Sequence, residues 1–252
     1  GVTGAIRRDE INRADSQDAY VQADWKPTEA WAWSAGVRAG TVRLSNADRY
    51  AAPANPTLKS DPANPDDTGA LNYSYVNPTV GTNLRLAPGV HAHLSLGRGF
   101  ESPTLGEVAY APNGASGFNT GLRGPSSRQA EAGLRWLGSR LSVEAVVFQV
   151  DTRNEIGVLS NVAGRSVYQD VGRTRRTGTE WSLRGALTPA WTTTWSLSTL
   201  EARYQDAVGA IASGNRIVGT QRVMGFAELA WRPHATTTWA VEAQGRSALM
   251  AN

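Results

Sequence analysis

The 252-residue chain contains no cysteine, which rules out disulfide staples and thiolate metal sites but says little about compartment. Only 19% of its residues are charged, with 25 basic against 22 acidic side chains. The basic residues are scattered, whereas a nucleic-acid partner needs them gathered into a footprint, so none is expected. No stretch approaches the roughly 20 consecutive apolar residues of a membrane-spanning helix. That absence does not touch a wall of strands, whose alternating apolar residues keep mean hydropathy low; here it is −0.36. A Gly-x-Ser-x-Gly elbow, a phosphate loop and a His-Glu-x-x-His pattern are also missing. No serine has a local His or Asp arrangement to activate it. An enzyme is not expected.

What is present is an alternation of short and long connections. Tight joints at Lys26–Ala30, Ala87–Gly89, Leu137–Arg140, Thr188–Ala190 and Pro233–Ala235 are interleaved with long polar excursions near 46–71, 100–127, 152–175 and 204–221. Strands are predicted between them at 1–8, 16–25, 31–45, 72–86, 90–99, 128–136, 141–151, 176–187, 191–203, 222–232 and 236–247, about eleven in all. Several are longer than the usual five or six residues, and match the about nine to eleven of a tilted membrane strand. Short turns on one side and long loops on the other are the pattern of an outer-membrane barrel.

The strand from 31 is the clearest. Trp31, Trp33, Ala35, Val37, Ala39 and Thr41 share one face, and Ser34, Gly36, Arg38 and Gly40 the other. Near the end, Thr237, Trp239, Val241 and Ala243 alternate with Thr238, Glu242, Gln244 and Arg246. Glu242 and Arg246 would be costly in a dry core and are welcome in a wet lumen. A soluble domain with its apolar face inward gives the same alternation, so pattern alone leaves both open. Tryptophan position favours the membrane: of nine tryptophans, all but Trp181 lie within a few residues of a tight joint. Indole rings collect at the membrane–water boundary.

Four runs carry a resemblance to a known family. They are Gly97-Arg98-Gly99-Phe100-Glu101-Ser102-Pro103-Thr104-Leu105-Gly106-Glu107-Val108-Ala109-Tyr110, Ser127-Arg128-Gln129-Ala130-Glu131-Ala132-Gly133-Leu134-Arg135, Tyr168-Gln169-Asp170-Val171-Gly172-Arg173-Thr174-Arg175-Arg176-Thr177-Gly178-Thr179-Glu180, and Gly214-Asn215-Arg216-Ile217-Val218-Gly219-Thr220. In this order and spacing the chain resembles the barrel of TonB-dependent outer-membrane receptors of the ferric-siderophore type. The resemblance implies a Gram-negative outer-membrane location, lipid around the wall, and a 22-stranded barrel plugged by an N-terminal domain. It also implies energised import of a ferric siderophore or similar metal chelate, driven by TonB through an N-terminal region not contained here. Residues 1–252 match the C-terminal half of such a barrel and stop about two strands before closure. Neither a plug nor an energy-coupling TonB box is visible. Haem is disfavoured, because the Phe100–Pro103 run lacks the Arg-Ala-Pro form and a nearby histidine. A passive porin-type channel and a soluble β-rich binding domain are the alternatives.

His91 and His93 share a strand face and His234 sits at a tight joint; these read as rim or lumen residues, with no third ligand nearby to complete a metal site. Asp61, Asp66 and Asp67, with Asn64, read as a solvated turn cluster lacking the pattern of a calcium loop. No resident cofactor is expected. Anionic, oxygen-rich chelates suit arginine forks and aromatic rings. The expected ligand contacts are therefore Arg98, Tyr110, Phe118, Arg123, Arg128, Tyr168, Arg173, Arg175 and Arg176, while Phe100 and Pro103 shape the loop exit.

Overall fold

The computed structural model describes residues 9–50, 66–112, 117–162 and 165–251. The strand expected at 1–8, and Asp61 and Asn64 of the acidic cluster, lie outside them. Among the described residues twelve strands follow in chain order: β1 (Glu10–Thr28), β2 (Trp31–Asp48), β3 (Gly69–Ala87), β4 (Val90–Phe100), β5 (Ser126–Leu137), β6 (Leu141–Arg153), β7 (Ile156–Val162), β8 (Arg165–Asp170), β9 (Thr174–Thr188), β10 (Trp191–Tyr204), β11 (Val223–His234) and β12 (Thr237–Arg246). Ten form one sheet in sequential antiparallel order, with β1 and β12 at its edges. These ten are the predicted strands from 16–25 onward. β7 and β8 pair only with each other, a hairpin inside the excursion at 152–175 that the sequence reading did not anticipate.

Local chemistry sets the tight turns. At both β1–β2 and β9–β10 a threonine hydroxyl, Thr28 or Thr188, accepts a hydrogen bond from the backbone N–H two residues on, at Ala30 and Ala190. Such side-chain turns reverse the chain in few residues.

β1 to β3 run 18 or 19 residues each, well past the predicted bounds. Apolar alternation, which the prediction followed, ends where lipid ends. The ladder does not: polar Glu10–Asp15 still pair with Asp48–Arg43, and Arg49 closes on Asp9 at 2.6 Å.

Register divides the sheet into two faces. One rung runs Trp25, Trp33, Thr82, Leu94, Ala132, Val147, Thr179, Thr199 and Val223. All nine tryptophans have this parity, and Trp191 stacks on Trp231 with centroids 5.7 Å apart. The opposite face carries Asp18, Arg38, Tyr75, His93, Glu131, Glu180, Arg184, Glu228 and Glu242. The apolar face has no protein cover: Trp239 is 65% and Val241 75% exposed. Among the described residues no second layer encloses Trp31, Val37 and Val241, so a sandwich core is excluded. Hydrocarbon supplies what a second sheet would otherwise provide.

The buried cluster lies instead on the polar face, at the long-loop end. Leu44 of β2 packs with Val108 and Leu122 of the β4–β5 connection, joined by Val42, Leu71, Tyr73, Leu105, Phe118 and Ile156. The otherwise polar face becomes apolar there to receive a folded loop.

Candidate functional site

The β4–β5 connection is built as a small layer over the polar face. A turn begins at Thr104, whose N–H and hydroxyl both donate to the Glu107 carboxylate at 2.7 and 3.0 Å. It delivers Val108 to the core, fully buried. The Tyr73 hydroxyl donates to the Leu122 carbonyl at 2.9 Å, tying the returning segment to β3. Buried Asn119 then donates its side-chain amide to the Tyr168 carbonyl at 3.2 Å, so this loop grips the β7–β8 hairpin. Phe118 packs into the buried cluster, Tyr110 and Tyr168 are half-buried, and Arg123 is exposed.

Phe100, the last residue of β4, stacks on Tyr75 at 5.2 Å with an interplanar angle of 11°. Beneath this pair opens a cavity of about 510 Å³, lined among others by Asp18, Arg38, Tyr75, Phe100, Pro103 and Leu105. Arg38 donates to Asp18 at 2.8 Å. Arg38 and Tyr75 are not among the expected contacts, which lie in loops and at strand ends; the signal that places them on this wall is the polar parity of their strands. Phe100 and Pro103 also line this cavity, so the loop exit and the cavity wall are one structure.

A second polar assembly closes the β6–β9 connection. Arg176 binds Glu155 through both guanidinium nitrogens, at 2.9 and 3.1 Å, and the buried Thr174 hydroxyl donates to the same carboxylate at 2.7 Å. Two parallel N–H···O bonds fix orientation as well as charge. Nearby, Arg173 clamps Asp206 of the β10–β11 connection, donating from its backbone N–H at 2.8 Å and its side chain at 2.7 Å. Gly172 permits the approach: its φ is +80°, and a Cβ there would lie 2.8 Å from the Asp206 Oδ2.

The Arg173 side-chain hydrogen bond, then its backbone N–H, hold the Asp206 carboxyl below the usual carboxylate range. The clamp is therefore complete above an ordinary aspartate pKa and opens as pH falls through the depressed value. Amide exchange of residues 204–221, corrected for intrinsic rates, should show protection lost on acidification in the parent. Asp206→Asn should show weak protection at every pH; a pH-dependent loss surviving in that variant would refute the clamp.

Arg98, Arg128 and Arg175 are placed otherwise than the expected ligand list supposed. Register sets Arg98 opposite Arg128, Arg128 opposite Asp151, and Asp151 opposite Arg175. All have the parity of Leu96, Ala130 and Val147, so they lie on the apolar face and not with the loop layer. Phe118 packs into the buried cluster on the polar side and Arg176 has the parity of the polar face, while Tyr110 and Arg123 belong to the β4–β5 connection and Tyr168 to β8.

At the tight-turn end, His91 lies 3.1 Å from Asn83 and His93 3.2 Å from Glu131. A Cβ on Gly133 would run into the His93 ring, so the position opposite His93 on β5 calls for a glycine. Asp66 turns onto its own Thr68 N–H at 2.9 Å, and Asp67 is buried.

Comparison with known proteins agrees with this architecture. The family described as TonB dependent receptor-like, beta-barrel matches residues 1–249, and the chain belongs to that family. It is part of an outer-membrane β-barrel, its apolar face toward lipid and its polar face toward the lumen. The closed form of the ferric-catecholate import receptor Fiu from E. coli K12 superposes with a TM-score of 0.71 at 15% identity, covering 95% of this chain and 36% of Fiu. The siderophore receptor PiuA from Acinetobacter baumannii gives 0.72 at 16%, covering 94% of this chain and 34% of PiuA. The copper transporter OprC gives 0.67 at 20%, covering 87% and 32%. The chain spans about a third of the length of these structures.

Proposed function

We propose that this barrel segment belongs to a receptor that takes up a ferric siderophore or related metal chelate across the outer membrane, with TonB supplying the energy. In this reading all 252 residues belong to the barrel domain. Support comes from the family match and from similar structures whose names specify ferric catecholate, siderophore and copper. The observation that carries it is the folded loop layer on the luminal face, which turns a polar wall into a walled cavity with an arginine and stacked aromatic rings.

Arg38, Tyr75 and Phe100 are the proposed wall contacts, with Arg123, Tyr110, Phe118, Tyr168 and Arg176 contributing from the loop layer. Arg173 contributes by holding the β10–β11 connection against β9. Guanidinium groups meet the anionic oxygens of a chelate and aromatic rings stack on its planar parts. Capture is non-covalent.

The test uses the full-length receptor. Tryptophan fluorescence titrated with ferric catecholate, hydroxamate and hydroxycarboxylate chelates, and with a copper chelate, should reveal one saturable ligand. Labelled uptake of that ligand should require TonB. Replacing Arg38 and Tyr75 by alanine should weaken binding by about tenfold or more, the loss of one charged hydrogen bond and one ring contact. Absence of saturable binding across the panel, or uptake that persists without TonB, would sink the proposal.

A further inference from the structure

The luminal cavity is walled by rings and one arginine, yet it carries no surplus of positive charge. Among its described lining residues Arg38 is the only base, against two acids, Asp15 and Asp18. Asp15 has outward parity, opposite Arg43. The balance on the luminal side is therefore set by Arg38 and Asp18, whose bond at 2.8 Å leaves the pair without net charge.

This pairing is built into the sheet. Register sets Gly40 of β2 between Asp18 on β1 and Tyr75 on β3. A Cβ on Gly40 would lie 2.7 Å from both the Asp18 Cβ and the Tyr75 hydroxyl. Glycine there lets the acid and the phenol close over one backbone position, with Arg38 two residues back on the same strand. The Arg38 side chain is 58% exposed and that of Asp18 24%, so the guanidinium is the more accessible to cargo and the carboxylate the more enclosed. The loop layer does not change the balance. The β4–β5 connection contributes Glu101 and Glu107 against Arg123, and Arg173 and Arg176 already hold Asp206 and Glu155. A polyanion entering here would find its counter-charges taken, and apposed like charge suppresses binding.

Iron(III) held by three singly charged hydroxamates is neutral, whereas three doubly charged catecholates leave a trianion. We propose that Asp18 is the charge-specificity residue of this receptor: by neutralising Arg38 it selects a neutral, amide-bearing ferric tris-hydroxamate over a tris-catecholate. The proposal rests on the chelate-uptake reading and narrows it to one charge class. Arg38 donates to the metal-bound oxygens, the Asp18 carboxylate accepts from amide N–H groups, and Tyr75, Phe100, Pro103 and Leu105 cover the apolar parts. Likeness to a ferric-catecholate receptor at 15% identity reflects the shared fold and not its charge preference.

Equilibrium binding to the full-length receptor in detergent tests it, with a neutral ferric tris-hydroxamate and a trianionic ferric tris-catecholate built on one scaffold. The parent should bind the neutral chelate at least about tenfold tighter, the scale of one close charge contact. Asp18→Asn frees the Arg38 charge. It should tighten the trianion by about tenfold and close that gap, with the gain shrinking as salt rises. Asp18→Glu should keep the preference of the parent. Glu242→Gln removes the same charge from the luminal face of β12 and should leave the preference intact, which separates a local partner from overall charge. Heat-modifiable gel migration checks that each variant is folded. A parent that prefers the trianion, or an unchanged preference in Asp18→Asn, would overturn the proposal and leave chelate uptake standing. Binding of neither probe overturns it too: saturable binding of another chelate then preserves the uptake reading, and none at all removes both.

Discussion

Leu94→Arg in the full-length receptor is expected to lower folding stability in lipid vesicles by about 2–4 kcal/mol, the cost of a cation near the middle of a barrel's lipid-facing surface. Leu94 lies between Thr82 and Ala132 in the outward rung and is 46% exposed to what would be solvent in a soluble protein. Ser95→Arg, one residue along, places the same charge in the lumen, opposite Glu131. Its effect should be much smaller, because water and a carboxylate are at hand. Denaturant titrations of the two variants reconstituted in vesicles compare them directly. Equal destabilisation by both would mean that the two faces have been assigned wrongly, and a soluble sheet would again have to be considered.

Leu122→Ala is expected to loosen the loop layer and leave the barrel standing. Leu122 is 4% exposed and packs with Leu44 and Val108. Truncating a buried leucine costs about 2–5 kcal/mol through lost burial and the cavity left behind. That is enough to unfold a small layer with few other buried side chains, whereas the ten-stranded ladder does not depend on it. Limited proteolysis should cut the β4–β5 connection in the variant and not in the parent, with unchanged heat-modifiable migration. Chelate binding should weaken in parallel, since Phe100 and Leu105 frame the luminal cavity. A variant whose loop stays resistant would show that Asn119, Tyr73 and the backbone bonds suffice to hold the layer.

Much of the wall was legible from local pattern. Period-two alternation from Trp31 to Thr41 and from Thr237 to Arg246 placed each side chain on one of two faces, and the observed register preserves that division. Tryptophans beside tight joints marked one rim for the same reason. Strand ends and the β7–β8 hairpin were not legible, because above the lipid the ladder persists without an apolar face to advertise it. Asp61, Asn64 and residues 1–8 fall outside the described residues.

The arginines expected to meet ligand show where local pattern stops. Arg98, Arg128, Arg175 and Arg176 all lie in loop-proximal, family-like runs, and nothing in composition separates them. Counting parity inward from Leu96, Ala130 and Thr179 would have turned the first three toward lipid and Arg176 toward the lumen. No such count could have matched Arg98 with Arg128, left both without a carboxylate among the described residues, or given Asp151 to Arg175. Alternation along a strand is fixed by its own backbone, residue by residue. Which charges meet across strands depends on register between segments far apart in the chain, and only the assembled sheet sets that.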